Sequence, residues 1–376
     1  QRINALGIDS KGACGDVNRN VVSNVNPHES QLHAEIHRLS VEISERLMWR
    51  SNAYAEIWLG EECVHRVGEE EEPVYSYYYL PRKFKIALAV PPENDADVFA
   101  NDIGLIAIVE GGELRGFNIA VGGGMGTTYG EPETYPRLGE VAGFVPADQA
   151  ADACVAITAI QRDFGCRTNR SHARFKYTMD DYGMEWFLEK FAEYHGQPME
   201  EAREYQFDHN GDRFGWVEGE NGNSHLTLHI DSGRIADWDG YPLRTGLREL
   251  AKIHTGEFRI TCNQNLIVAN VTPEQKDRIQ AIVQQYGLRD GTKSTPLARN
   301  AMSCVAFPTC ALAMAESERY LPTLVDKLDE MLAKHGLSEQ AINVRVTGCP
   351  NGCARPYLGE IGLPGKALCK YNLYLG

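Results

Sequence analysis

The chain has 376 residues, of which 43% are hydrophobic, and it carries a formal net charge of −15 at pH 7. This length and apolar content suffice for two or more hydrophobic cores, so we expect a globular protein. The acidic balance argues against nucleic acid as a partner. We expect no membrane association either, because the sequence contains no apolar run long enough to span a bilayer.

Hydrophobic periodicity predicts helices and strands that follow one another along the whole chain. Helices interleaved with strands predict an α+β fold built from mixed α/β layers. The helix near the C-terminus should end at His335-Gly336, where glycine supplies a left-handed cap. In chain order the predicted elements are a helix through Leu32, Ile36, Leu39, Ile43 and Leu47; strands at Ala53–Leu59, Phe84–Val90, Gly104–Val109 and Leu226–Ile230; a helix from Leu321 to Leu332; and a strand at Ile342–Val346.

The distribution of turn-forming residues divides the chain into four parts. No low-complexity linker separates these parts. The predicted parts are a helical segment at 1–50, a mixed sheet with helices at 51–245, a smaller ferredoxin-like element at 246–300 and a cysteine-bearing region at 301–376.

Four of the ten cysteines are grouped near the C-terminal end of the chain. Five residues separate Cys304 from Cys310, and three separate Cys349 from Cys353. Thiolates on two short loops suit an iron-sulfur cube, which needs ligands from several directions. Zinc, and cysteines without a metal, remain open on spacing alone. The other six cysteines form no tight framework and no signal-like segment opens the chain, which predicts a reducing, cytoplasmic location.

The second cysteine loop is rich in residues that shape the backbone. Gly348 and Gly352 allow backbone angles closed to other residues, and Pro350 stiffens the turn between the two thiols. Amide groups brought close to sulfur would raise the reduction potential of a bound cluster. An ordinary turn has the same composition, so this observation supports the metal site without deciding it.

From Thr347 to Leu363 the sequence resembles the signature of the siroheme-dependent sulfite and nitrite reductases. The match consists of Thr-Gly-Cys, three residues, a second Cys, six residues, and Glu-Ile-Gly-Leu. Further stretches resemble the assimilatory sulfite reductase hemoproteins of that family and occur in family order across most of the chain. They are the residues 15–20 (GDVNRN), 79–85 (YLPRKFK), 258–265 (FRITCNQN) and 307–310 (FPTC).

The resemblance implies a [4Fe-4S] cluster and a siroheme as cofactors. Cys304, Cys310, Cys349 and Cys353 would bind the cluster, and Cys353 would also be the axial ligand of the siroheme iron. The implied activity is the six-electron reduction of sulfite to hydrogen sulfide, in sulfur assimilation and cysteine biosynthesis. Two alternatives stay open: a siroheme nitrite reductase that forms ammonia, and a non-catalytic domain stapled by a metal on four cysteines.

The resemblance also assigns a substrate pocket. An anionic substrate needs local positive charge in so acidic a chain. Lys83 and Lys85 begin a predicted strand and should therefore point to the same face. The family comparison gives these two lysines and Arg19 the role of binding sulfite and delivering protons. An unrelated Arg-Lys-x-Lys segment would more often be a solvated strand end.

Other residues are expected to hold the siroheme. Arginine suits its carboxylates because the planar guanidinium pairs with them through two hydrogen bonds. The predicted siroheme contacts, besides Cys353, are Arg82, Arg167, Arg170, Arg174, Lys176, Asn263, Gln264, Asn265 and Asn351.

The resemblance further implies that the chain is a fragment lacking both family termini. Segment 1–50 would complete a truncated ferredoxin-like half-module, 51–245 would be the siroheme-binding domain, 246–300 the second half-module, and 301–376 the domain binding the cluster and siroheme. The sequence contains no nucleotide- or flavin-binding motif. A separate electron donor is therefore expected, either an NADPH-dependent flavoprotein or ferredoxin.

Overall fold

The computed structural model describes residues 4–6, 11–23, 26–50, 55–60, 62–67 and 72–376. Helices and strands follow one another along the chain. The strands form three main sheets, which are covered by helices. The helices are α1 (Gln31–Arg46), α2 (Ala150–Phe164), α3 (Phe175–His195), α4 (Leu243–Ile253), α5 (Pro273–Gln285), α6 (Pro296–Arg299) and α7 (Leu321–Lys334). The strands are β1 (Asn18–Val22), β2 (Ala55–Leu59), β3 (Glu62–Val67), β4 (Phe84–Ala89), β5 (Glu93–Asn94), β6 (Ile103–Glu110), β7 (Glu113–Val121), β8 (Glu140–Pro146), β9 (His209–Asn210), β10 (Gly215–Glu218), β11 (Ser224–Leu228), β12 (Asp237–Trp238), β13 (Tyr241–Pro242), β14 (Glu257–Ile260), β15 (Leu266–Val271), β16 (Ala301–Ser303), β17 (Val344–Thr347), β18 (Ile361–Ala367), β19 (Lys370–Tyr371) and β20 (Tyr374–Leu375).

The first sheet has the strand order β1-β4-β6-β7-β8. Strands β1, β4 and β6 run parallel, and β7 and β8 continue the sheet antiparallel. Gly111 and Gly112 join β6 to β7 with positive φ angles, as a tight two-residue hairpin turn requires. Strand β4 is almost wholly buried, which explains its continuous apolar sequence after Lys85. Helices α1, α2 and α3 contribute apolar side chains to the core of this sheet.

The second sheet has the order β10-β11-β15-β14 and is antiparallel throughout. Helices α4 and α5 contribute to its separate core, as Leu247, Leu250 and Ile279 show. One sheet covered by two helices is a layered unit of the kind expected from the sequence.

The third sheet carries the cysteine loops. Strands β16, β17 and β18 are parallel, while β19 and β20 pair antiparallel with β18. Helix α7 packs against this sheet through Leu321 and Val325, together with Leu324, Leu328 and Leu332. It ends where the sequence predicted, with His335 as its cap and Gly336 in a left-handed conformation.

The predicted fold class is confirmed, and each predicted element occurs within a few residues of its expected bounds. The first two residues of the predicted strand Ala53–Leu59 lie outside the described residues. The division into four parts remains a proposal. Strands on both sides of position 50, β1 and β4, pair with each other, and so do β11 and β15 across position 245. None of the described helices combines the length and the apolar content that crossing a bilayer requires.

Tyr75 joins the first strand to the first helix. Its side chain is fully buried, and its hydroxyl donates to the carbonyl of Leu47 at 2.5 Å and accepts from the backbone N–H of Asn18 at 3.0 Å. Asn18 opens β1, which also carries Arg19. The buried hydroxyl therefore fixes the position of a strand that contributes to the predicted substrate pocket.

We expect Tyr75→Phe to lower the free energy of unfolding by about 1–3 kcal/mol, because a buried N–H and a buried carbonyl lose their partner. Urea unfolding at neutral pH measures this change. Tyr77→Phe is the matched control, since Tyr77 is 65% exposed and should change stability by less than about 0.5 kcal/mol. Equal stability of the two variants would contradict the role of the Tyr75 hydroxyl.

Candidate functional site

The four grouped cysteines lie on two loops that leave the third sheet at one edge. Cys304 directly follows β16, and Cys349 comes two residues after β17. The two strands are parallel neighbours, with Ser303 opposite Val346. Because the carboxyl ends of parallel strands meet at the same edge of a sheet, the loops emerge side by side. Cys349 is buried, Cys304 and Cys310 are half-buried, and Cys353 is exposed.

Backbone hydrogen bonds join the two cysteine loops. The N–H groups of Met314 and Ala315 both donate to the carbonyl of Gly348, at 2.7 and 3.0 Å. The Gly348 N–H donates to Cys304 Sγ at 3.1 Å, which places an amide at a predicted ligand sulfur. A Cβ atom at Gly348 would stand 2.8 Å from Ala306 Cβ. Glycine is therefore required here for close packing between the loops.

The thiols are near enough to influence one another. Burial raises the pKa of the Cys349 thiol, and the charges of Cys353, Cys304 and Cys310 raise it further, against a hydrogen bond from the Asn351 backbone that lowers it. Among the residues that the structure describes, no three His, Cys, Asp or Glu side chains are grouped closely enough to hold a single metal ion. Four soft sulfur ligands on two adjoining loops fit an iron-sulfur cube, which binds a thiolate at each iron.

A cluster of cations lies beside Cys353. The partial enclosure of Cys353 and the charges of the other thiols raise the pKa of its thiol, whereas Lys83 and Lys85 lower it. Burial in turn lowers the pKa of Lys83 to about 8, with contributions from its cationic neighbours Arg174, Lys85, Arg19 and Arg82. The structure thus places Lys83 and Lys85 next to the fourth cysteine, with Arg19 near Lys83.

The geometry of strand β1 explains how Arg19 reaches this group. Strands β1 and β4 pair in parallel, with Asn18 opposite Phe84 and Asn20 opposite Lys85. Arg19 lies at the irregularity between these two pairs, and its Nε donates to the Gly15 carbonyl at 3.1 Å. Irregularities of this kind re-aim a side chain at the edge of a sheet.

Asp102 partly balances the positive charge. Its carboxylate is fully buried and pairs with Arg174 at 2.9 Å, and it also accepts the backbone N–H of Lys85 at 2.9 Å. One carboxylate therefore holds both an arginine and the strand that carries the two lysines. Such a buried charge is stable only because it is paired and hydrogen-bonded.

Lys176 is fully buried and bonded to backbone carbonyls. Its ammonium donates to Gly124 at 3.2 Å, to Gly126 at 2.9 Å and to Tyr135. Burial lowers the pKa of Lys176 to about 7, and Arg174 adds to this. Residues 122–127, the glycine loop, are thereby fixed against the start of α3.

The glycine loop in turn contacts the second cysteine loop. The backbone N–H and the hydroxyl of Thr127 both donate to the Pro350 carbonyl, at 2.9 and 3.1 Å. A Cβ atom at Gly126 would stand 3.1 Å from the carbonyl oxygen of Asn351. The loop between Cys349 and Cys353 is therefore braced by the first sheet as well as by its own.

The predicted arginine contacts to siroheme fall into two groups. Arg82 and Arg174 belong to the cation cluster, and Arg170 pairs at its margin with Asp16 at 3.0 Å. Arg167 makes its hydrogen bonds elsewhere, with the carbonyls of Tyr79 at 2.7 Å and Arg162 at 2.9 Å. The siroheme roles of all four remain predictions.

The predicted polar contacts at 263–265 lie in the turn that joins β14 to β15 of the second sheet. The side-chain amides of Asn263 and Asn265 both donate to the carboxylate of Asp212, at 2.9 and 2.7 Å. Gln264 has a positive φ of 71° and donates from its side chain to the Ser303 carbonyl at 2.7 Å. Since Ser303 precedes Cys304, this turn connects the second sheet to the first cysteine loop.

Sequence reasoning missed the buried carboxylates and two arginines. Asp102 pairs with Arg174, and Asp97 pairs with both Arg345 and Arg355. The partners of Asp97 lie about 250 residues away along the chain, so no local pattern indicates these pairs. Of these four residues, only Arg355 could have been noticed in the sequence, because it lies within the 347–363 signature.

Two family models match the chain. The nitrite and sulphite reductase 4Fe-4S domain matches residues 44–199, and the nitrite/sulfite reductase ferredoxin-like half domain matches residues 217–286. Together they cover more than half of the chain. The chain belongs to the nitrite and sulfite reductase family. The four grouped cysteines lie outside both matched ranges, so they support this assignment independently.

Similar proteins agree with the family. The sulfite reductase [NADPH] hemoprotein beta-component of Myxococcus xanthus is 55% identical over 375 residues, and that of Bacillus subtilis is 55% identical over 377 residues. Each match covers all of this chain and 66% of the relative, so the chain spans slightly less than two thirds of these curated relatives. The structure of Mycobacterium tuberculosis NirA protein matches with a TM-score of 0.76 at 26% identity, covering 97% of this chain and 61% of that one. The predicted family and fold are thereby confirmed.

Burial of Lys83, together with its cationic neighbours, gives a testable cost in stability. With a pKa of about 8 in the folded chain, against about 10.4 when unfolded, charged Lys83 disfavours folding at pH 7. We expect Lys83→Gln to raise the free energy of unfolding of the cofactor-free chain at pH 7 by about 1 kcal/mol, allowing for solvent screening.

The gain should shrink between pH 8 and about 10.4, because the folded wild-type chain then loses the Lys83 proton before the unfolded chain does. Urea unfolding at pH 7 and at pH 10 measures both values. Lys334→Gln, at an exposed position, is the control and should show no such pH dependence. A gain that is equal at both pH values would contradict the assigned cause.

Proposed function

We propose that this chain forms the cofactor- and substrate-binding part of a sulfite reductase, which reduces sulfite by six electrons to hydrogen sulfide. The observation that carries this proposal is the joint position of four thiols and a cluster of cations at Cys353. The relatives named above are sulfite reductase hemoproteins, which supports sulfite as the substrate.

The proposed cofactors are a [4Fe-4S] cluster and a siroheme. Cys304, Cys310, Cys349 and Cys353 would hold the cluster, and exposed Cys353 would also bind the siroheme iron. When bound, these groups supply the one-electron redox chemistry that the protein side chains lack. Arg82 and Arg174 would pair with siroheme carboxylates, and Asn351 would add a polar contact from the ligand loop. We also propose that further residues contact the siroheme, namely Arg167, Arg170, Lys176, Asn263, Gln264 and Asn265.

The lysines would bind the substrate and move protons. The oxygen atoms of sulfite leave as water, so protons must reach them from nearby acids. A lysine with a pKa of about 8 donates a proton near neutral pH far more readily than an ordinary lysine. Lys83 and Lys85 would act as these acids, and Arg19 would hold the anion through its permanent charge.

Nitrite is the alternative substrate, since the matching family models name both reductases. The same cations would attract either anion. The proposed electron donor is a separate NADPH-dependent flavoprotein, which the [NADPH] in the relatives' names supports, and ferredoxin is the alternative. A reducing, cytoplasmic location is supported by nine free thiols among the described residues.

Cofactor content is the first test. An anaerobic absorption spectrum with iron and acid-labile sulfide measured on the same sample should show siroheme bands and about five irons per chain. Cys353→Ser should lose the siroheme coupled to the cluster, whereas Cys369→Ser, which removes an exposed thiol, should keep both. Zinc alone, or iron without siroheme in the unaltered chain, would support the alternative of a metal-stapled scaffold.

Turnover with a chemical electron donor is the second test. Lys83→Ala and Lys85→Ala should retain both cofactors and lose sulfite turnover by about a hundredfold or more, because each removes a proton donor. Lys334→Ala is the matched control on the exposed surface. Comparing sulfite with nitrite as substrate separates the two reductases, and a preference for nitrite would overturn the proposed substrate.

A further inference from the structure

One buried carboxylate holds both flanks of the second cysteine loop. Asp97 is 5% exposed, and its Oδ2 accepts a hydrogen bond from Arg345 Nη1 at 2.6 Å. The same oxygen accepts from Arg355 Nε. Arg345 lies in β17, four residues before Cys349, and Arg355 lies two residues after Cys353.

The pairing connects distant parts of the fold. Asp97 precedes the short 3-10 turn Val98–Ala100, next to the first sheet, whereas both arginines flank the ligand loop of the third sheet. Arg355 also donates to the Cys262 carbonyl at 3.3 Å and lies 3.4 Å from Asn263 Oδ1, both beside the second sheet. Segments that adjoin each of the three sheets therefore meet at this guanidinium.

The charges and backbone support a positioning role. Burial raises the pKa of Asp97, but Arg355 and Arg345 outweigh burial and hold it at about 2, so the carboxylate stays charged. Arg355 has a positive φ of 52°, a backbone conformation that residues other than glycine rarely adopt without support. The ion pair with Asp97 supplies that support two residues after Cys353.

We propose that Asp97 is a positioning residue that fixes the loop from Cys349 to Cys353 in its ligand-binding shape through Arg345 and Arg355. We call the ion pairs of Asp97 with Arg345 and Arg355 the clamp. This inference rests on the proposed cluster site for its biological role, although the clamp itself involves only residues of the protein chain. Removing it should let the loop open, so that buried Cys349 becomes accessible and a bound cluster is lost faster.

Residue-resolved alkylation of the cofactor-free chain tests the clamp without any cofactor. Asp97→Asn keeps the side-chain shape and removes the charge. Iodoacetamide should modify Cys349, which is 7% exposed, at least about fivefold faster in this variant, as expected for local opening. Cys154, fully buried beneath the first sheet, is the internal reference and should stay protected.

Two further variants keep the test decisive. Asp237→Asn removes a charge that pairs with Arg244 at 3.2 Å on an exposed strand, and it should leave Cys349 protected. Arg355→Asn removes the guanidinium but tolerates the left-handed backbone and leaves the Asp97–Arg345 pair intact. If Asp97→Asn does not fold, the Arg355→Asn variant tests the clamp in its place. Unchanged alkylation of Cys349 in folded Arg355→Asn would overturn the clamp.

Iron and sulfide content measured in parallel separates the clamp from the proposed function. Faster alkylation in the clamp variants, with no cluster even in the unaltered chain, would support the clamp and contradict the cofactor proposal. A cluster in the unaltered chain that all variants keep equally well, with Cys349 still protected, would contradict the clamp alone.

Discussion

The site depends on holding several positive charges together with little water around them. Burial raises the cost of charging Lys83 and Lys85, and the repulsion between these lysines and Arg174 adds to it. In the proposed function this charge attracts an anionic substrate and an anionic macrocycle, and at physiological salt acidic residues more than about 8 Å away are largely screened. A local excess of cations thus outweighs a net charge of −15.

Two buried carboxylates make this excess tolerable. Asp102 pairs with Arg174 and also accepts the backbone N–H of Lys85, so the carboxylate that balances the arginine also fixes the strand that carries Lys85. Asp97 pairs with the arginines that flank the ligand loop rather than with a lysine. Arginine keeps its charge when buried, and it is therefore suited to structural ion pairs. Lysine loses its proton more easily, and it is therefore suited to proton transfer.

The three sheets divide the work between them. The first supplies the cations, the glycine loop and both carboxylates; the third delivers the cysteines; and the second contributes the turn at 263–265 that contacts Ser303. The buried ammonium of Lys176 holds the glycine loop in place, because it donates to the backbone carbonyls of Gly124 and Gly126. The strain of crowded cations is the kind of stability cost that functional sites carry.

The sequence by itself determined the fold class, the helix that stops before Gly336, the strand that carries Lys85 and the strand that leads to Cys349, because these depend on local periodicity, caps and spacing. The signature around Cys349 and Cys353 likewise identified the family. Tertiary structure alone decided which carboxylates balance the cations. Asp97 and Arg345 are 248 residues apart in the chain, and pairing over that separation leaves no periodic trace in the sequence. It also decided that Asn263 and Asn265 bond Asp212, because an amide satisfies whichever acceptor the fold brings to it.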